Sequence, residues 1–153
     1  MNIKPMRRRD ASKLLSQIES EYGYKPEDFL DKYVFFVSDK NKIYLINNDI
    51  KDINLEKVRI NSLGLYLCEI NNNQIRLSIE GSQMIGPKAT KNILEVDDLT
   101  ARSWLKGEDL ECDPSLNSFV IIKNNNDFLG CGKCKEGKVF SYMPKIRRIR
   151  AAD

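Results

Sequence analysis

Histidine is absent from all 153 residues. Relays of the Ser-His-Asp or Cys-His kind are therefore excluded, because each needs an imidazole to shuttle the proton, and the commonest metal ligand is missing with it. Glycine is sparse too. No Gly-rich turn joins a strand to a helix in the Rossmann or P-loop pattern, so a nucleotide has no cradle and no cofactor is expected. No apolar run approaches the length of a bilayer span, and Arg7, Arg8 and Arg9 are not followed by the apolar stretch of a secretory leader. The expectation is a cytoplasmic protein with no membrane partner.

Cysteine is limited to four residues, and only Cys131 and Cys134 form a CxxC. A structural zinc site would need all four, yet Cys68 and Cys112 stand alone in the sequence. A redox pair wants its first thiol at a helix N-terminus, whereas strand-like residues and glycines surround this one. In an extended segment, positions three apart face opposite sides, so the two thiols would not meet. A zinc-stabilised domain is the weakest reading, and one buried cysteine with a second by accident the strongest. Carboxylate pairs such as Asp97-Asp98 fall where helix capping accounts for them. No enzymatic activity is expected.

What is present is an ordinary globular mix, 41% hydrophobic and 31% charged, enough for one large or two small domains without staples. The net charge is only +3, but its distribution is uneven. From Glu95 to Asp113, Glu95, Asp97, Asp98, Glu108, Asp109, Glu111 and Asp113 face only Arg102 and Lys106. From Lys133 to Arg150 the sign reverses: Lys133, Lys135, Lys138, Lys145, Arg147, Arg148 and Arg150 stand against Glu136 alone.

Periodicity supplies the elements. Ala11, Leu14, Leu15 and Ile18 recur at helical spacing, with Asp10 as the expected cap and Gly23 as the stop after Tyr22. A short helix around Asp28 to Asp31 follows Pro26. Tyr33 to Ser38 and Lys42 to Ile46 read as a hairpin turned at Asp39-Lys40-Asn41. Leu63 to Ile70 and Gln74 to Ile79 read as a second, turned at Asn71-Asn72-Asn73, with Ile75, Leu77 and Ile79 on one face. Gly81 to Lys91 is a loop or short helix, and the domain boundary is placed there, dividing residues 1–90 from 91–153. Beyond it come a strand at Asn92 to Val96, a helix capped by Asp97 or Asp98 and stopped by Gly107, and strands at Ser118 to Lys123, Phe128 to Cys134 and Lys138 to Tyr142. The class is α+β.

The basic tail has aromatic residues interleaved with it. Lys and Arg neutralise phosphates and release counterions, and an exposed Tyr stacks on an unpaired base, so the tail suits RNA better than a protein. Phe140 is expected to be buried.

The order of these segments resembles the two-domain ribosome-assembly factors built from a pre-PUA domain and a PUA domain. The likeness is clearest in Gln74 to Ile79, the loop to Lys91, the strand Ile93 to Val96 and the helix ending Ser103-Trp104-Leu105-Lys106-Gly107. Phe128 to Lys133 and Gly137 to Phe140 also look like the PUA-like appendage of the Sun-family cytosine-5 RNA methyltransferases. The resemblance implies an N-terminal pre-PUA α/β domain, a C-terminal PUA-like β pseudo-barrel, and binding of structured rRNA or tRNA. It also implies an RNA-modifying enzyme or a ribosome-assembly factor as partner.

By position, the resemblance makes Gly107 the turn after the PUA helix and Gly130 the point where a strand passes close to a neighbour. The RNA face it implies is Lys133, Lys135, Lys138, Arg147 and Arg148, to which the reading of the basic tail adds Tyr142, Lys145 and Arg150. Carboxylates follow Gly107 where many PUA domains carry apolar or basic residues. They would repel phosphate there and move the expected surface toward the tail and Arg7 to Arg9. A methyltransferase needs a cofactor-binding domain and a Pro-Cys nucleophile, and none of the four cysteines follows a proline. The rival from another class is a protein-interaction module docking through the acidic segment and apolar strands.

Overall fold

The computed structural model describes residues 2–50 and 64–149. Strands β1 (Ile3–Pro5), β2 (Tyr33–Ser38), β3 (Lys42–Asn47), β4 (Leu65–Asn71) and β5 (Gln74–Leu77) form one sheet in chain order, every pair antiparallel. Strands β6 (Ile93–Glu95), β7 (Leu110–Glu111), β8 (Phe119–Asn124), β9 (Asp127–Lys135) and β10 (Lys138–Ser141) form a second sheet in the spatial order β6-β8-β9-β10-β7. Its pairs are antiparallel except β6 with β8, which is parallel. The second sheet curls into a half-barrel of PUA-like form. Both expected hairpins are present, although Leu63 lies outside the described residues.

Four helices accompany the sheets among the described residues: α1 (Arg8–Tyr22), α2 (Phe29–Lys32), α3 (Ile79–Ile85) and α4 (Asp98–Leu105). Helix α1 buries Ala11, Leu14, Leu15, Ile18 and Tyr22, the stripe that the spacing predicts, and stops at Gly23, whose φ of 78° suits glycine. It starts earlier than expected, at Arg8. Asp10 is therefore not the cap; it sits in the first turn, where its carboxylate accepts from Arg7 Nε at 3.0 Å. Asp97 does cap α4, accepting from the Thr100 N–H at 2.8 Å. Asparagine makes the tight turns: Asn72 and Asn73 both have positive φ, at 48° and 63°, the backbone of a two-residue hairpin loop.

The structure departs from the sequence reading in further places. Ile79 does not extend β5; Ser78 leaves the strand, its hydroxyl accepts from the Gly81 N–H at 2.8 Å, and Ile79 opens α3. The edge strands β1 and β7 were not foreseen, being too short to show alternation. The close approach in the second sheet is at Gly132 rather than Gly130. A Cβ on Gly132 would lie 2.7 Å from Trp104 Cη2 and 2.8 Å from the Phe140 carbonyl oxygen, whereas on Gly130 the nearest atoms would be at 3.6 Å. Gly130 is there for its φ of 133°, next to the register shift at Ile122/Lys123.

The sheets share a core. Phe119, Ile121 and Cys131 of the second sheet pack in one cluster with α1 and with Phe35, Ile43, Leu45, Ile75 and Leu77 of the first. Val120, Ile122, Cys134 and Val139 turn to the other face and pack with Trp104 of α4. Each such side chain contributes roughly 1.5–3 kcal/mol by leaving water. The C-terminal carbonyls of α1 tie the halves together: Tyr22 O accepts from the Thr90 N–H at 2.8 Å and Glu21 O from Asn92 Nδ2 at 2.5 Å. Tyr22 Oη also donates to Ile75 O at 2.5 Å and lies 3.6 Å from Cys131 Sγ.

Candidate functional site

A cleft of about 270 Å³ opens where the two sheets meet. Tyr66, Arg76 and Leu77 from the first sheet, with Ser78, Ile79 and Glu80 of the β5–α3 turn, line one side. Trp104, Leu129, Gly130 and Cys131 line the other, and Tyr142 to Pro144 with Arg147 close the rim. Alternation in β5 explains why Arg76 is available: Ile75 and Leu77 face the core, so Arg76 faces away from it.

Aromatic rings and cations interleave along this side of the molecule. The Arg76 guanidinium lies 4.3 Å from the Tyr142 ring centroid, and Tyr142 is tilted against Phe119 at 6.1 Å. Lys133 Nζ lies 5.0 Å above Phe119, and Lys42 Nζ lies 5.5 Å from the Tyr66 ring. These distances are in the range of cation–π attraction. Two half-exposed or partly buried ion pairs hold the cations in place, Arg76 with Glu69 and Arg147 Nη1 with Glu80 Oε1 at 2.5 Å. Burial raises the Tyr66 phenol to about 12, so it stays protonated at neutral pH.

The structure divides the residues that the sequence pointed to. Tyr142 and Arg147 line the cleft, and Lys133 is two ring contacts away, its ammonium donating to Gln74 Oε1 and, at 3.4 Å, to Asn117 O. Burial, followed by the nearby Lys135, lowers the Lys133 ammonium's pKa. Lys135 and Lys138 face each other across the β9–β10 turn, away from the cleft lining, and Lys138 is also in register with Glu111. Lys145 is exposed in the turn Lys145–Arg147. Arg148 anchors the tail: its Nε donates to Met143 O at 3.1 Å, and its guanidinium lies against Gly107. Arg150 lies outside the described residues. Arg7 and Arg8 are engaged by Asp10 and Asp31. Phe140 is exposed at 39%, against expectation, because Val139 takes the inward position in β10.

Reasoning from the sequence missed Lys42, Tyr66, Arg76 and Glu80. They come from the N-terminal half, and only the outward phase of Arg76 in a short strand hinted at it.

The cysteines separate as the extended geometry requires. Cys131 joins the shared core, and Cys134 the Trp104 cluster on the opposite face of β9. Both are buried, so neither is accidental. Burial raises their thiols to about 11 and about 12, with a hydrogen bond to the free Cys112 thiol adding to the rise at Cys134. Among the described residues, no group of three or more Cys, Asp or Glu is placed to hold a metal ion.

Residues 91–149 match the family model described as the methyltransferase RsmF PUA domain, so the resemblance of this region to PUA-domain proteins holds. The chain is 25% identical over 144 residues to the ribosomal RNA small subunit methyltransferase F of Aeromonas salmonicida, an overlap of 94% of this chain and 29% of that protein. The protein of the same description from Vibrio vulnificus is 23% identical over 105 residues, covering 69% of this chain and 22% of the relative. The chain thus spans less than a third of the length of the curated relatives it matches. Among solved structures, a hypothetical protein from the archaeon Pyrococcus horikoshii OT3 superimposes with a TM-score of 0.57 at 15% identity. That likeness of fold covers 95% of this chain and 97% of the other, and so takes in both sheets.

Proposed function

We propose that the chain is a non-catalytic, cytoplasmic RNA-binding unit that holds rRNA or tRNA during ribosome biogenesis or RNA modification. In this reading, residues 1–90 form the pre-PUA-like part, residues 91–153 the PUA-like part, and a separate or attached RNA-modifying enzyme or assembly factor does the chemistry. The observation that carries it is the match of residues 91–149 to the PUA domain of a methyltransferase family whose members are described as acting on ribosomal RNA. The row of cations and rings beside the cleft supports it, since phosphates select the first and unpaired bases the second.

Crosslinking the tagged protein in its own cells and sequencing the recovered RNA tests the reading. Enrichment of one ribosomal or transfer RNA, lost in Lys145→Glu/Arg147→Glu, is the expected result. No enrichment over an unrelated cytoplasmic protein overturns it.

One observation favours a second reading, a protein-interaction module. Leu99 is 77% exposed on α4, beside exposed Asp97, Asp98, Glu108 and Asp109. A basic protein partner captured equally by the wild type and the double variant is the result that reading expects.

A further inference from the structure

The cleft differs from a flat basic surface in being lined for one flat, partly polar group. Its lining includes the apolar Trp104, Ile79 and Gly130. Tyr142 on the rim is 43% exposed, and the Arg76 guanidinium lies over its ring, so the platform offered to a base is the stacked Arg76–Tyr142 pair. The carboxylate of Glu80 looks in from the rim, and only its Oε1 is taken up by Arg147. A stacking surface, apolar lining and a polar acceptor are what a protein uses to hold a base turned out of its strand.

We propose that this cleft receives a single unpaired base of the bound RNA and that Glu80 makes guanine the preferred one. The inference rests on the RNA-binding reading above. A carboxylate only accepts hydrogen bonds. Guanine alone among the four bases presents two adjacent donors, N1–H and the 2-amino group, that two carboxylate oxygens accept side by side. On adenine and cytosine the amino group is next to a ring nitrogen lone pair, and on uracil N3–H lies between two carbonyl oxygens, so each sets an acceptor against Glu80. The flanking phosphate replaces Glu80 as the partner of Arg147, which frees the second carboxylate oxygen for the base. The cleft draws Arg76 and Glu80 from the N-terminal half and Trp104 and Tyr142 from the C-terminal half, so neither half alone forms it.

Trp104 is the only tryptophan in the sequence and is among the residues lining the cleft, so the tryptophan fluorescence of the chain comes from a single residue at the cleft. The test titrates the full chain with short oligouridylates carrying one central guanosine, adenosine, cytidine or uridine. Trp104 emission follows occupancy, and anisotropy of end-labelled RNA follows binding. The expected result is tightest binding and a change in emission with the guanosine oligomer. Tyr142→Ala should weaken it by on the order of tenfold to a hundredfold, as for loss of one stacked base, and Tyr142→Phe should restore it. Glu80→Gln should abolish the preference for the guanosine oligomer, because an amide sets a donor against one of guanine's two donors. Equal affinity for all four in the wild type, with Trp104 emission unchanged and Tyr142→Ala without effect, overturns the proposal and leaves the RNA reading standing. Failure to bind any RNA, structured rRNA included, overturns both.

Discussion

Along the acidic segment the aspartates are held by hydrogen bonds to caps, turns and neighbouring side chains. Asp97 caps α4, Asp98 accepts from Asn124 Nδ2 at 3.0 Å, Asp109 from the Ser141 N–H at 3.2 Å, and Asp113 from the Ser115 N–H at 2.9 Å. Along the basic tail the cations divide instead: Arg147 and Arg148 are held by Glu80 and Met143 O, while Lys135, Lys138 and Lys145 extend into solvent. Two runs of charge of similar density in the sequence thus have different uses. The acids mainly fix turns and caps, and the bases mainly populate a surface.

This contrast can be broken from either side. The largest effect should come from Trp104→Ala, because the indole links α4 to the second sheet and is 1% exposed. The loss should be about 3–5 kcal/mol, read by chemical denaturation. Next, Lys145→Glu/Arg147→Glu should reduce RNA affinity by about a hundredfold with the melting temperature nearly unchanged, if the tail is a surface and not a strut. A large fall in melting temperature with affinity intact would reverse the assignment.

Alkaline pH should act on the stability of the shared core. Burial first, and then Cys131, raises the Tyr22 phenol well above 10.0, and burial raises the Cys131 thiol from 9.0 to about 11. Both groups stay protonated in the folded chain after the unfolded chain has released its protons. Their stabilisation is complete below pH 9.0, the ordinary thiol value, and is lost as pH rises through about 11 and beyond. The Cys131 part is on the order of 2 kcal/mol, read as a falling melting temperature over that window. A flat profile would mean the junction is wetter than its packing indicates.

The smallest effect is Asp97→Ala, which should lose about 1 kcal/mol through the cap and leave RNA affinity alone. If that substitution instead strengthens RNA binding several-fold, the acidic segment repels the ligand and is no mere scaffold.

Much of the fold was legible because its signals are local. Ala11, Leu14, Leu15 and Ile18 recur at helical spacing, Tyr33 to Ser38 is a strand of aromatic and β-branched residues, and the asparagine runs can hold positive φ. What escaped depends on partners distant in sequence. Ile79 belongs to a helix because the Ser78 hydroxyl caps it and bonds Tyr66 O at 2.5 Å, which no strand pattern reveals. Phe140 is outward because Val139 pairs with Cys134, which fixes the phase of β10. The candidate site was half legible. Tyr142 and Arg147 stood out in a dense tail, but Arg76 and Glu80 reach the cleft only because β5 and α3 pack on β9.

The most direct test of the central claim is the affinity of the full chain for structured small-subunit rRNA fragments, measured by anisotropy at about 50 and about 200 mM salt. The account predicts roughly a hundredfold weakening across that interval, as for about four neutralised phosphates, with a shallower slope in Lys145→Glu/Arg147→Glu. Affinity that hardly changes with salt, or a variant with the wild-type slope, would contradict it.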